Sequence, residues 1–373
     1  MILRKRTTVK ILSITLLAVI LLSLATGCTN NPQGTAEIPQ QPEPEVNENV
    51  ITDMAGREVI LPEKTEKIFS LSPVGTIMLY TLCPEKLLGW NYELSEMEKY
   101  YILPQYKDLP NLGGAGKNPP NAEEILKLKP DIIVYVTDIN ETNISTAEQF
   151  QNELNIPVVV LDGDIEKTAD TYALLGKIIG DEATAENLCA YIKETIQEIQ
   201  DKAKSISEDK KVRVYYAEGN DGLETDPRGS GHVQVLDMVG GINVAEVSKI
   251  EGSGRLKVSL EQLLNWNPDL IIAWADDRGG YYSNIFKDEN WSGLNAVKNG
   301  EVYEIPNFPF SWFDRPPSVN RILGLKWLGN LLYPEVFDYD IKKEVKYFYE
   351  QFYHYQLTEE ELAKLVDTST RRQ

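Results

Sequence analysis

Histidine is almost absent: His232 and His354 are the only two in 373 residues. Multi-histidine metal centres and the H-E-x-x-H arrangement need imidazoles in groups, so both are excluded. Cysteine is nearly as scarce, with Cys28, Cys83 and Cys189, too few for a disulfide framework. Enzyme motifs are missing as well. The glycines flanking Ser230 and Ser253 do not have the two-residue spacing of a G-x-S-x-G nucleophile elbow. Lys117, behind Gly113-Gly114-Ala115-Gly116, lacks the Ser or Thr of a phosphate loop. No G-x-G-x-x-G follows a strand pattern. No catalytic residue, metal site or cofactor is expected, and the chain is not read as an enzyme. Positive charge is also in deficit, with 37 basic against 57 acidic side chains and a net of −20. So acidic a surface disfavours nucleic acid and anionic lipid as partners.

What is present begins at the N-terminus. Arg4, Lys5, Arg6 and Lys10 precede an apolar stretch over Ile11–Leu24, which stops at Ala25-Thr26-Gly27-Cys28. A basic start, a short apolar core and small residues before a cut make a secretory signal over residues 1–27. Leu24-Ala25-Thr26-Gly27-Cys28 resembles a bacterial lipobox, which makes Cys28 the lipidation site and places the mature protein on the outer face of the cytoplasmic membrane. Residues 28–49 carry Pro32, Pro39, Pro42 and Pro44 among Gln, Asn and Glu. That composition cannot bury enough apolar surface to fold, and it reads as a tether. No later stretch approaches the roughly 18 consecutive apolar residues of a membrane span. Cys83 and Cys189 sit in apolar helical patterns and read as buried thiols, although an exported protein could pair them.

The strongest internal signal is a repeat. Residues 121–136 read as an amphipathic helix, a Lys-Pro-Asp turn and an apolar strand, and residues 258–274 read the same way through Asn-Pro-Asp. Proline ends each helix, and the apolar runs that follow suit strands buried on both faces. Two copies, 138 residues apart from Asp131 to Asp269, predict an α/β fold of two like lobes with mostly parallel sheets. Between them Leu188, Ile192, Ile196, Ile199 and Ala203 mark one face of a long helix over 181–205, with Asp181 as its N-cap. The lobes then span 50–180 and 211–357, and 358–373 reads as a polar tail.

Several landmarks carry a family resemblance in this order: Ser70-LSPVGT-Thr76, Leu87-LGW-Trp90 as a strand, the two repeats, Asp237-MVGGINVA-Ala245 and Ser311-WFDRPPSVNRILGLKWL-Leu328. Together they resemble the substrate-binding proteins of ABC importers for ferric siderophores, haem and cobalamin. The resemblance implies two Rossmann-like lobes joined by a single long α-helix, ligand held between them, and delivery to a permease dimer with its ATPase. A ferric siderophore is the expected cargo; cobalamin, haem or an oxyanion such as molybdate, or a non-transport sensor or adhesin role, are the alternatives. Open α/β sheets bind ligands beyond the carboxyl ends of their strands, which makes Trp90, Tyr92, Arg228, His232, Trp312 and Arg315 the candidate ligand contacts. His354 on its Tyr-rich helix reads as structural. Gly254 stands where siderophore receptors of this kind place an iron-ligating histidine, which argues against direct ligation. Glu123 and Glu261, each eight residues before the Asp of its repeat, match the positions at which the family pairs a glutamate of each lobe with permease arginines.

Overall fold

The computed structural model describes residues 49–116, 118–246 and 255–371. The expectations for the signal, Cys28, almost all of the tether, and Gly254 lie outside them.

Two parallel sheets organise the chain. In the first lobe Ile132–Thr137 lies between Ile68–Ser70 and Val158–Asp162. In the second, Ile242–Asn243, Arg213–Ala217, Leu270–Ala273 and Val302–Glu304 lie side by side in that order. The expected strand at Leu87–Trp90 is reduced to single bridges, Leu87 to Ile68 and Trp90 to Asn111. Placed by its Leu87 bridge, that segment gives the first lobe the same 2-1-3-4 order as the second. The repeat read from the sequence is therefore a repeat of topology. All the inner strand positions are buried, as continuous apolar strands under helices on both faces require.

The equivalence extends to single atoms. The helices Ala122–Leu128 and Leu260–Trp266 are capped by Asn121 and Ser259 and end at left-handed Lys129 and Asn267, with φ of 54° and 42°. Asp131 then accepts a hydrogen bond from Lys67 N at 2.8 Å, and Asp269 one from Arg213 N at 2.9 Å. Each aspartate thereby pins the first strand of its own lobe.

The long helix runs Glu182–Lys204, capped by the Asp181 carboxylate on Thr184 N. At 1.5 Å per residue it spans about 34 Å. Its buried face, Ala185, Leu188, Cys189, Ile192, Thr195 and Ile199, packs on Thr168–Ile179 of the first lobe and on Asn320–Leu332 of the second. The lobes also meet directly. Ser318 Oγ donates to Val74 O at 2.9 Å, Gln234 Nε2 to Asp164 Oδ2 at 2.8 Å, and buried Arg321 Nη2 to Gly163 O at 3.0 Å. Cys83 and Cys189 are both free and buried, and burial pushes the Cys83 thiol up to about 12.

One expectation at the C-terminus is corrected. The C-terminal segment is no polar tail: Thr358 and Glu361 form a capping box, and Glu359–Val366 is a helix that buries Leu362, Leu365 and Val366. Their i, i+3, i+4 spacing is an amphipathic stripe, partly hidden by a run of three glutamates. The preceding helix, Ile341–Phe352, packs on Asn320–Leu332 of the second lobe, with Lys326 paired to Glu344 at 2.7 Å, and also reaches the first lobe. Its Phe352 ring meets Tyr172 and Tyr191, and Tyr353 O accepts from the Tyr80 hydroxyl at 3.1 Å. Among the described residues no helix is long and apolar enough to cross a membrane.

Candidate functional site

In a 2-1-3-4 sheet the chain reverses direction between the first and third strands, and the crevice at their carboxyl ends is where such sheets bind ligands. In the second lobe those strands are Arg213–Ala217 and Leu270–Ala273, so the crevice opens at Glu218 and Trp274. A dense ionic cluster gathers around it. Arg315 Nε lies 3.3 Å from Glu218 Oε1 and 3.2 Å from Asp314 Oδ2, and its Nη2 bonds Asp226. Arg315 Nη1 donates to His232 Nε2 at 2.9 Å, and His232 Nδ1 stands 3.4 Å from Asp314 Oδ2. Ser230 orders the approach, donating to Asp226 at 3.0 Å while accepting from His232 N.

The burial of this cluster is layered. Glu218, Asp226 and Asp314 are at most 1 % exposed, whereas the Arg315 and His232 side chains keep 23 % and 30 %. The carboxylates thus lie behind and hold the cationic groups in front. Burial, reinforced by Asp314, raises the Glu218 carboxyl above the usual carboxylate range, with Arg315 pulling the other way. Burial also raises Asp314, to about 6, against the pull of Arg315 and Arg278. Burial disfavours charge on Arg315, but Asp314 and its neighbours more than offset this and hold the guanidinium above its ordinary range. Asp226, His232 and Asp314 place ligand atoms within 4.8 Å of one another, the spacing of a cation site. The Arg315 guanidinium sits among them and supplies that cation.

Two more guanidiniums stand beside the cluster, Arg278 and an Arg255 whose Nη1 pairs with Glu224 at 3.1 Å. Arg255 and Arg278 lie over the Trp274 ring, at 4.9 and 5.6 Å from its centroid. The ring is fixed by Trp274 Nε1 donating to Tyr216 OH at 2.5 Å. Arg278 also bonds Asn307, and its Nη2 donates to Arg315 O at 2.9 Å.

The first lobe brings polar loops of its own, in which Ser72, Asn91 and Tyr92 are neutral and Glu98 and Asp164 are acidic. Ser72 caps the helix Pro73–Leu82 and donates to Val136 O at 2.7 Å. Asn91 Nδ2 bonds Ser70 O and Gly113 O at 2.8 and 2.7 Å, stitching neighbouring loops together. Tyr92 donates to Glu98 at 3.0 Å. Burial and Glu98 push its hydroxyl up, opposed by Arg278 from across the cleft.

Of the six expected ligand contacts, the structure brings His232 and Arg315 together and sets Tyr92 across from Arg278. Trp90 and Trp312 are corrected to core residues, 2 % and 0 % exposed. Trp90 packs against Tyr80 and Phe310 and donates to Tyr106 O. Trp312 packs edge-on against Trp327 at 6.4 Å. Both are large apolar side chains in a position where the fold needs volume more than a rim contact. Arg228 is drawn off by Glu246 at 2.6 Å and Asn243 O at 3.2 Å, and stays out of the cluster. His354 is structural, its Nε2 3.3 Å from Tyr80 O. Glu218, Asp226, Asp314, Arg255, Trp274 and Arg278 were missed as site residues. Glu218 and Trp274 carry the simplest signal, since each ends an apolar run and directly follows its strand, Arg213–Ala217 or Leu270–Ala273. Volume alone points elsewhere: the cavity of about 860 Å³ near Asn330, Tyr339 and Arg371 lies away from both crevices.

The family model described as "Periplasmic binding protein" matches residues 95–308. The chain belongs to the periplasmic binding protein family. A solved ABC transporter solute binding protein from Sulfurospirillum deleyianum is 30 % identical to this binding protein. It superposes with a TM-score of 0.79 over 86 % of this chain and 99 % of that one. The molybdate-binding protein MolA of Haemophilus influenzae is 28 % identical over 341 residues, 82 % of this chain and 91 % of the relative. The ABC transporter substrate-binding lipoprotein YvrC of Bacillus subtilis, uncharacterised, is 25 % identical over 332 residues, 86 % and 96 % of the two chains. This binding protein is therefore a solute receptor of the ABC-transporter kind, and its relatives are named for binding.

Proposed function

We propose that this binding protein is a lipid-anchored receptor for an anionic metal compound, which it holds between the lobes and passes to an ABC permease. One observation carries the reading: Arg255 and Arg278 over the Trp274 ring, with Arg315 beside them, at the crevice of the second sheet. Guanidiniums grip carboxylates and oxyanions through paired N–H donors, and the aromatic ring adds an apolar platform. An anionic ferric chelate of the siderophore class fits this face and agrees with the family resemblance of the sequence. A molybdate-class oxyanion is the second reading, favoured by the relative that binds molybdate and spans nearly the whole chain. Titration calorimetry with ferric siderophores, haem, cobalamin, molybdate and tungstate decides between them. The expected result is heat from one anionic class, lost on Arg278→Ala; binding of a neutral corrinoid alone overturns the anion reading.

The anchor rests on Cys28 and on the lipoprotein relative. Cys28→Ala is expected to release the protein from the membrane fraction, since a diacyl anchor is a two-chain attachment. Docking to the permease is assigned to Glu123 and Glu261, both exposed and both the second residue of their helices.

A further inference from the structure

The two docking helices are matched in more than their glutamates. Ile125 and Leu263 occupy the same turn and are both fully buried. One residue on, Leu126 and Leu264 point outward, 46 % and 39 % exposed, two of the few large apolar side chains left on the surface. Each leucine stands three residues after its glutamate, so Glu123 with Leu126 and Glu261 with Leu264 share one helix face. A single exposed leucine is ordinary. The same leucine at the same register of two equivalent helices needs a common reason.

Charge is matched too, by different means. The first helix carries Glu123, Glu124 and Lys127, and the second carries Glu261 alone. Lys127 Nζ lies 2.8 Å from Glu124 and 3.0 Å from Glu123, so the extra acid is cancelled by the extra base. Both helices thus end with one net negative charge. Among the described residues Glu261 has no basic group within 4 Å, whereas Glu123 shares Lys127.

We infer that Leu126 and Leu264 are the apolar half of a duplicated docking patch, fitting a two-fold symmetric membrane partner that offers one basic and one apolar contact in each half. The inference rests on the permease-docking reading and adds to it the apolar contact and the equality of the two halves. Duplicated patches of like charge and shape are matched by a partner built from two like subunits, because each half then meets the same chemistry. The carboxylate steers and orients, while the leucine supplies the contact that excludes water.

The test measures binding of the full chain to its own permease–ATPase complex in lipid nanodiscs. Leu126→Ser and Leu264→Ser are each expected to weaken binding several-fold and to similar extents, and the double variant by about tenfold or more. Ligand affinity and Tm are expected to stay at wild type, because neither side chain is in the core. Glu123→Gln with Glu261→Gln is the companion variant. If the glutamate pair loses affinity and the leucine pair does not, the inference fails and the docking reading stands. If only one leucine matters, the equality of the halves is overturned. Wild-type affinity in both pairs overturns docking at these helices altogether.

Discussion

The two lobes share a strand order, a helix–Pro-Asp–strand unit, left-handed helix caps and even the aspartate that pins the first strand. They differ at the carboxyl ends of their strands. At its first strand the first lobe places Ser70, Ser72 and Asn91, neutral and spent on bonds to its own backbone, while Asp138 and Asp162 stand at the ends of its next two strands. The second ends in three buried acids, three arginines and a tryptophan.

The comparison is tested most strongly by substitutions that should hit fold and not site. Trp90 and Trp312 sit in the interior of corresponding halves, and truncation to Ala is expected to cost about 3–5 kcal/mol in either lobe. Urea unfolding measures it. A loss of ligand affinity by Trp312→Ala with no loss of stability would return that residue to the cleft.

Next in size is the ligand face itself. Arg278→Ala is expected to weaken ligand binding by about 1–3 kcal/mol while leaving stability nearly unchanged, as for an anchor in a partly buried patch. Asn91→Ala, its opposite across the cleft, removes bonds to Ser70 O and Gly113 O and is expected to do the reverse: lower Tm and spare affinity. Calorimetry and thermal melts on both variants read this directly. Equal effects on affinity would make the two lobes equal partners in recognition.

The shared features are also those the sequence makes legible. Proline after an amphipathic helix, followed by an apolar run, has few structural solutions, and both repeats stand where that pattern puts them. The interlobe helix was legible through its apolar spacing and the Asp181 cap. The site was only partly so. Loop aromatics such as Trp312 resemble ligand contacts in composition, but burial against Trp327 is a tertiary fact that periodicity does not carry. Glu218, Asp226, Asp314 and Arg315 are brought together from three loops up to 97 residues apart. No local pattern joins them, so only His232 and Arg315 were picked out, one at a time and without their partners.

The smallest expected effect is the most specific to the second lobe. Glu218 is fully buried, with Arg315 Nε 3.3 Å and Arg255 Nε 4.0 Å away, and with Asp314, Asp226 and Tyr216 also acting on it or near it. Burial first, then Asp314, lift its carboxyl above the usual carboxylate range. Above the ordinary glutamate range the folded protein keeps a proton that the unfolded chain has released. Folding then binds more protons than unfolding, and stability falls as pH rises. Asp314, raised from 3.8 to about 6, adds a decline of the same sign at the acid end of that window. Ser70, Ser72 and Asn91, at the first strand of the first lobe, have no titrating counterpart to Glu218. Glu218→Gln keeps the shape of the side chain and removes its proton equilibrium. Unfolding free energies at pH 5, 7 and 9 are expected to fall in the wild type and to fall less steeply in Glu218→Gln. The Arg315–Asp226 pair should preserve the rest of the cluster in the variant. An unchanged slope would mean that the buried acids of the second lobe are already balanced by their arginines. The charge difference between the lobes would then shape ligand binding alone and leave no trace in the stability of the fold.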